Sequence, residues 1–320
     1  GPILDYKDTE LLEFVLQSIK SYARSKRAVF VMFDPSICIS QSLIGQEKIE
    51  YPENLAIIDS LKNLGVKWSG LTNDMGDTIQ PRVQAKIYKE NFGEDVLSKS
   101  TKQAIRTARN KGIEIQVGGL ELLDSFSALM KKTEQRKDIH LRNQDYYRKL
   151  LDSFKDHSYI TLATLDLSKR SQELALQLEK NKSKLERFTD STKPSKVQEH
   201  LKEKERIEEE LTFLQDYIDR GYRKVPLSAT LVVEFGHSSV NLYAGMDDDF
   251  RRYNAPILTW YETARYAFER GILWQNLGGI ENTLDGGLYR FKANFNPTIE
   301  EYLGEFTMPI HPLYPLLRLA

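Results

Sequence analysis

Much is missing from this 320-residue sequence. It has one cysteine, Cys38, so an internal disulfide framework and any site built from several thiolates are excluded. No run of about 18 apolar residues reads as a membrane span. No charged start leads into an apolar signal core. Charge of one sign is also lacking: 45 Lys and Arg stand against 46 Asp and Glu, a net −1. The whole-molecule field recruits no polyanion, so any nucleic-acid contact needs a local patch, and DNA is not expected as a partner. The five histidines show no ligand spacing, and neither a metal nor a cofactor is expected. There is no Gln/Arg-x-x-Gly-x-Gly/Ala loop, no P-loop and no Gly-x-Ser-x-Gly elbow.

What remains is a soluble-type composition, 40% hydrophobic and 28% charged, arranged as alternating strands and helices. Leu11, Leu12, Val15 and Ile19 predict a helix over 9–25. Residues 28–33 read as a buried strand, 53–64 as a helix closed by Gly65, and Val83–Tyr88 as a strand. Thr101–Lys111 is a basic helix before a strand at 113–117. Helices follow at 120–134 and 143–154, then a strand at 159–165. After residue 222, strands at 228–234 and 239–244, a helix at 256–270 and a strand at 273–277 lead to Gly278-Gly279. Residues 292–306 read as a loop and a last strand. Cys38, between two isoleucines, reads as buried and structural.

Between Ser168 and Tyr222 the texture changes to Lys, Glu, Leu and Gln. Leu174, Leu178, Leu185 and Phe188, then Val197, Leu201, Ile207, Leu211, Leu214 and Ile218, form two narrow apolar stripes about Lys193-Pro194-Ser195. They predict an antiparallel helical hairpin, each helix reaching roughly 30–35 Å. So narrow a stripe is expected to pack only on its partner, which makes the hairpin a projecting arm. The fold class is therefore α/β (α+β) with a helical insertion.

Four stretches carry a resemblance. Gly1-Pro2-Ile3-Leu4-Asp5-Tyr6 resembles an Arg-Gly-Pro-Val-x-Asp-Tyr segment, Thr78–Arg82 the start of a second lobe, and Lys99–Gly112 a basic helix. The fourth is the C-terminal block: Asn241–Gly245, Asn276-Leu277-Gly278-Gly279-Ile280, Gly287–Phe295 and Tyr302–Phe306. Together they are similar to the Fem family of peptidoglycan bridge-forming aminoacyltransferases, closest to its lipid II-dependent MurM/MurN branch or to its FemA/FemB branch. The resemblance implies two acetyltransferase-like (GNAT-type) lobes with a coiled-coil arm at 168–222. The first lobe is N-terminally incomplete, with its remainder at 1–82. The second occupies 83–167 and 223–308, and 309–320 returns toward the first. It also implies transfer of Ala, Ser or Gly from aminoacyl-tRNA to the stem-peptide lysine of lipid II or a UDP-MurNAc-pentapeptide-type precursor. The enzyme would be cytoplasmic, with peripheral association at the inner membrane face. With no acetyl-CoA or ATP loop, the donor has to arrive already activated, as an aminoacyl ester does. The other reading of the same fold is a non-catalytic RNA- or precursor-binding protein.

By the same resemblance Lys292 is catalytic, a fixed cation against the developing oxyanion; otherwise it is a surface lysine on a strand. Arg142, Tyr243, Tyr289 and Phe291 are the substrate-binding candidates. Arg142 is suited to phosphate by its planar fork, or else makes a surface ion pair. Lys99, Lys102, Arg106 and Arg109 step 3, 4 and 3 along one helix face, with no acid between 99 and 111. Lys180, Lys184 and Arg187 sit near the arm tip. Both groups read as phosphate or tRNA contacts, or as solvated charge. Asp247-Asp248-Asp249 suits a general base, a metal ligand or a helix cap.

Overall fold

A computed structural model describes residues 1–72 and 74–314, so within the segment 309–320 residues 315–320 lie outside the described residues. The Asp8 carboxylate accepts from the Leu11 N–H and starts α1, Thr9–Ser25, as short oxygen-bearing caps do. Leu12, Leu16 and Ala23 are buried and Ile19 packs against the same core, so of the predicted stripe Leu11, Leu12, Val15 and Ile19 the exposed position is Leu11. β1, Phe30–Phe33, follows. Three strands then appear that periodicity did not predict: β2, Cys38–Leu43; β3, Ile49–Glu50; and, after α2 at Ala56–Asn63, β4, Lys67–Trp68. Two of them are only two residues long. β2 carries Ser40-Gln41-Ser42 and owes its place to pairing, not to its own pattern. β5, Val83–Tyr88, turns Val83, Ala85 and Ile87 inward as alternation requires.

Next come α3, Lys99–Asn110; β6, Ile113–Gly118; α4, Leu123–Lys137; α5, Gln144–Phe154; and β7, Ser158–Asp166. The helical pair is α6, Leu167–Glu186, and α7, Pro194–Asp219. Then follow β8, Lys224–Phe235; β9, Ser238–Met246; α8, Ala255–Glu269; and β10, Trp274–Gly279. The chain closes with α9, Gly287–Lys292, β11, Thr298–Tyr302, and β12, Phe306–Pro309. Lys292 thus ends a short helix where a loop was expected, and two strands stand where one was.

The chain divides into two compact units. The first holds residues 1–98, 235–241 and 267–320. It contains the sheet β1-β12-β4 and the run β3-β2-β11-β5-β10. Neighbours in that run are antiparallel, and the first residues of β9 lie parallel to β10, Ser238–Val240 opposite Trp274–Asn276. Leu12 and Leu16 of α1 and Ile57, Ile58 and Leu61 of α2 pack with Leu303 and Phe306 as its core. The second unit holds 99–234 and 242–266. In it β6, β7 and β8 form an antiparallel run. Phe126, Leu129 and Tyr147 of α4 and α5 pack on Ile160, Leu162 and Leu231. β7 is buried on both faces, which is why it reads as a near-continuous apolar run.

α6 and α7 pair antiparallel, with Arg170 against Glu210 and Asn181 against His200. The stripes do not pack only on each other, however. At the root Leu174, Ile207, Leu214 and Tyr217 are buried. The rings of Phe213 and Tyr217 lie 5.1 and 4.9 Å from that of Phe250. Tyr217 donates its hydroxyl to Asp249 at 2.6 Å. At the tip Leu185, Phe188 and Val197 are half-buried and Leu201 is exposed. The root is part of the body's core and only the tip behaves as a free hairpin.

Candidate active site

Lys292 is 6% exposed and donates through Nζ to the Gly279 carbonyl at 2.6 Å. Its helix is too short and too aromatic to persist alone. Glu281 holds the start of it: the carboxylate accepts from the N–H groups of Leu288 and Tyr289, both at 2.9 Å. Burial pushes the Glu281 carboxyl up, but those N–H groups, its own N–H and the Lys292 ammonium outweigh burial and hold it below the ordinary glutamate value. A cation is thereby fixed between a backbone carbonyl and the field of an ionised carboxylate. Tyr289 and Phe291 share α9 with Lys292, and Phe291 packs on Phe295 at 5.6 Å. All of these belong to the first unit.

In the second unit the structure brings Arg142 and Tyr243 together. Asn143 caps α5 by accepting from the Tyr146 N–H at 3.0 Å, which leaves Arg142 exposed just ahead of the helix. Its guanidinium lies 5.2 Å from the centre of the Tyr146 ring. Tyr243 reaches the same place from β9, 5.0 Å from Tyr147 and 6.2 Å from Tyr146. Burial pushes the Tyr243 phenol up, Tyr146 adds to this, and Arg142 works against it. Beside them opens a cleft of about 480 Å³ whose lining includes Asp124, Lys131, Glu134, Arg142, Gln144 and Tyr147. With Arg142 and Lys131 as cations, Asp124 and Glu134 as acceptors and Tyr147 in its wall, the cleft suits a ligand that carries phosphate on a polar or sugar body. Tyr146 and Tyr147 were not singled out from sequence, although an aromatic pair in the first turn after an N-cap is a readable signal.

The two basic groups fare differently. On α3 Arg109 pairs with Glu262 of α8 at 3.0 Å and lies 5.9 Å from the Tyr261 ring. The neutralising acid absent from the helix itself is thus supplied 153 residues away. Lys102 is half-buried and engaged, while Lys99 and Arg106 are exposed. Near the tip of the pair Lys180, Lys184 and Arg187 are all exposed.

The three consecutive aspartates are each engaged. Asp247 accepts from Lys132 at 2.5 Å and from the Asp249 N–H at 3.2 Å, Asp248 pairs with Arg136 at 3.4 Å, and Asp249 takes the Tyr217 hydroxyl. They build and tether the 3-10 turn Asp248–Tyr253, so of the three sequence readings capping describes the geometry. Cys38 is half-buried and donates Sγ–H to the Ser40 carbonyl at 3.0 Å. Burial and then Glu300 push its thiol up to about 11, as in an unreactive thiol. Among the described residues no helix is long and apolar enough to cross a membrane.

Comparison with known proteins agrees over the full length. The chain is 23% identical over 332 residues to the aminoacyltransferase FemA of Staphylococcus aureus, covering 98% of this chain and 79% of FemA. The crystal structure of FemX superposes with a TM-score of 0.71 at 23% identity, covering 99% of this chain and 81% of FemX; it has the same α/β fold. The sequence model of the FemAB family matches residues 1–320. With a family match from end to end, the chain belongs to the FemAB family and is an aminoacyltransferase.

Proposed function

We propose that this enzyme moves an amino acid, Ala, Ser or Gly, from aminoacyl-tRNA to the stem-peptide lysine amine of a peptidoglycan precursor, lipid II. In doing so it would build the interpeptide bridge from the cytoplasmic side of the membrane. The observation that carries this is the Lys292 ammonium, buried and aimed by the Gly279 carbonyl and Glu281. In the reaction the acceptor amine nitrogen attacks the ester carbonyl carbon. The carbonyl oxygen takes up negative charge, the C–O bond to the ribose breaks, and an amide forms as the ribose hydroxyl recovers a proton. A preorganised cation beside that oxygen lowers the barrier without reorganisation. Tyr289 and Phe291, on the same helix, would line the acceptor's approach. Arg142 and Tyr243 would hold the precursor, the guanidinium pairing with its diphosphate and the phenol with its body. Lys99, Lys102, Arg106 and the tip cations Lys180, Lys184 and Arg187 would meet tRNA phosphates.

The test is reconstitution. The purified chain, lipid II and separately charged alanyl-, seryl- and glycyl-tRNA are mixed, and product mass is read. The expected result is a mass gain of one residue with one of the three donors. Binding of tRNA or lipid II without any mass gain would favour the non-catalytic reading instead.

A further inference from the structure

The turn that receives Lys292 is built, not free. Where β10 pairs with β5, Asn276 stands opposite Lys86 and Gly279 opposite Gln84. The β10 side therefore advances one residue more than its partner, which makes a bulge. Gly278 sits in the bulge at φ +87°, in the left-handed region, where a side chain would be strained. A Cβ there would also stand 3.4 Å from the Lys292 ammonium. A Cβ at Gly279 would lie 2.3 Å from Pro81. A larger residue would be strained by the backbone at Gly278 and by the contact with Pro81 at Gly279.

Asn276 closes this bulge from both ends of its amide. Its oxygen accepts from the Gly278 N–H at 2.7 Å. Its NH₂ donates to Gln84 Oε1, also at 2.7 Å. Gln84 in turn donates to the Pro81 carbonyl at 2.9 Å, on the residue that Gly279 lies against. The chain of bonds runs from Pro81 through Gln84 and Asn276 to Gly278. It ends one residue before the Gly279 carbonyl on which Lys292 rests. Bulges recur beside active sites because they re-aim a group that a regular strand would point elsewhere.

We propose that Asn276, seated on Gln84, is a positioning residue for Lys292: it sets the bulge whose carbonyl fixes where the ammonium stands. The proposal rests on the reading of Lys292 as the oxyanion-stabilising cation. Misplacing a reacting group by about 1 Å costs on the order of 100-fold in rate. Asn276→Ala is therefore expected to lower kcat roughly 30- to 100-fold, with KM for lipid II within about threefold. Asn276→Asp keeps an oxygen for the Gly278 N–H but gives up the bond to Gln84 Oε1, so its kcat should fall less than in the Ala variant, by roughly 5- to 10-fold.

The deciding measurement is a double-mutant cycle with Lys292→Met, read as turnover of lipid II with the active aminoacyl-tRNA. If Asn276 acts through Lys292, Asn276→Ala adds almost nothing in the Lys292→Met background. Additive losses, or equal losses in the Ala and Asp variants, overturn the positioning role. Full activity of Lys292→Met alone overturns the underlying reading, whatever Asn276 does. Should Asn276→Ala not fold, Gln84→Leu removes the seat while leaving the Asn276–Gly278 bond. It is expected to lower kcat non-additively with Lys292→Met, and parental kcat or additivity in it overturns the proposal equally.

Discussion

Buried and exposed cations of this chain behave as two classes. Lys292 and Arg170 are 6% and 5% exposed, whereas Arg142, Lys180, Lys184 and Arg187 stand in solvent. Burying an ion costs several kcal/mol unless partners are fixed around it, so a buried cation marks a place where geometry is enforced. Arg82, also 6% exposed, pairs with Glu301 at 3.3 Å, and Lys292 and Arg170 differ from each other. Arg170 meets a carboxylate, Glu210, that is 4% exposed, with Nη2 at 2.9 Å, and its charge is cancelled where it lies. Lys292 meets a neutral carbonyl at 2.6 Å, and the carboxylate that faces it already accepts two backbone N–H groups. The first arrangement holds a structure together. The second fixes where the ammonium stands. Exposed cations, cheap to place and loosely held, can bind but cannot aim.

The largest effect on stability should come from breaking the first arrangement. Glu210 accepts from Arg170 and from the Tyr253 hydroxyl at 2.9 Å, and Lys111 stands 3.9 Å away. Burial lowers the Lys111 pKa and Glu210 opposes that. Glu210→Ala leaves buried Arg170 with only the half-exposed Glu173 at 3.7 Å, which is expected to cost about 3 kcal/mol of stability, read as the denaturation midpoint. Replacing the pair together, Arg170→Met with Glu210→Leu, should recover most of the loss. A single variant that melts like the parent would place this pair with surface ion pairs and dissolve the contrast.

Next is Lys292→Met, which keeps length and removes only charge. Turnover should fall about 100- to 1,000-fold, roughly 3–4 kcal/mol of barrier, with the melting temperature held and KM for lipid II little changed. A loss confined to KM would move Lys292 into the binding class.

Much of this was legible in sequence, and the failures have physical causes. Helices with a clean 3.6-residue stripe, such as α1, α3 and α5, were found because local periodicity and caps specify them. β2 and β4 were not, because pairing with β11 and β12 decides them from more than 200 residues away, and β3 is a two-residue edge that follows β2. α9 falls where no element was read ahead of the loop expected from residue 292, and its first turn is held by Glu281, seven residues before Leu288. Lys292 itself was named through family resemblance; its burial and its carbonyl partner were not readable. The α3 face looked unneutralised because Glu262 lies on another helix. The hairpin looked self-sufficient because nothing local reveals that Phe213 and Tyr217 face Phe250.

Among the exposed cations Arg142 should give the larger effect. Lysine keeps the charge there but loses the planar fork and the stacking on Tyr146. Arg142→Lys is expected to raise KM for lipid II about tenfold, near 1.4 kcal/mol, while kcat changes less than threefold. A selective loss of kcat would show that this exposed arginine aims as well as binds.

The smallest effect is expected at the tip of the helical pair, and it sharpens the contrast because it should depend on salt where the buried sites do not. Lys180 and Lys184 are exposed on α6 with Arg187 just beyond it. Across from them, Glu199 and Glu203 line the same shallow cleft as Lys180, Lys184, Asn181 and His200, so part of the positive field is answered locally. The pair interface here is polar, with Asn181 against His200 at 3.2 Å, and little apolar burial depends on the lysines. Neutralising both, Lys180→Gln with Lys184→Gln, should therefore leave stability within about 0.5 kcal/mol of the parent. If each lysine meets one RNA phosphate, the slope of log affinity for charged tRNA against log salt should become less negative by roughly 1.4–1.8. At low salt the double variant should bind several-fold more weakly, and at high salt the two proteins should converge, since the term removed is counterion release. The same titration on Lys292→Met should give the parental slope, because a buried ammonium bonded to a backbone carbonyl displaces no condensed ions. An unchanged slope in the tip variant would return these lysines to plain solvated charge.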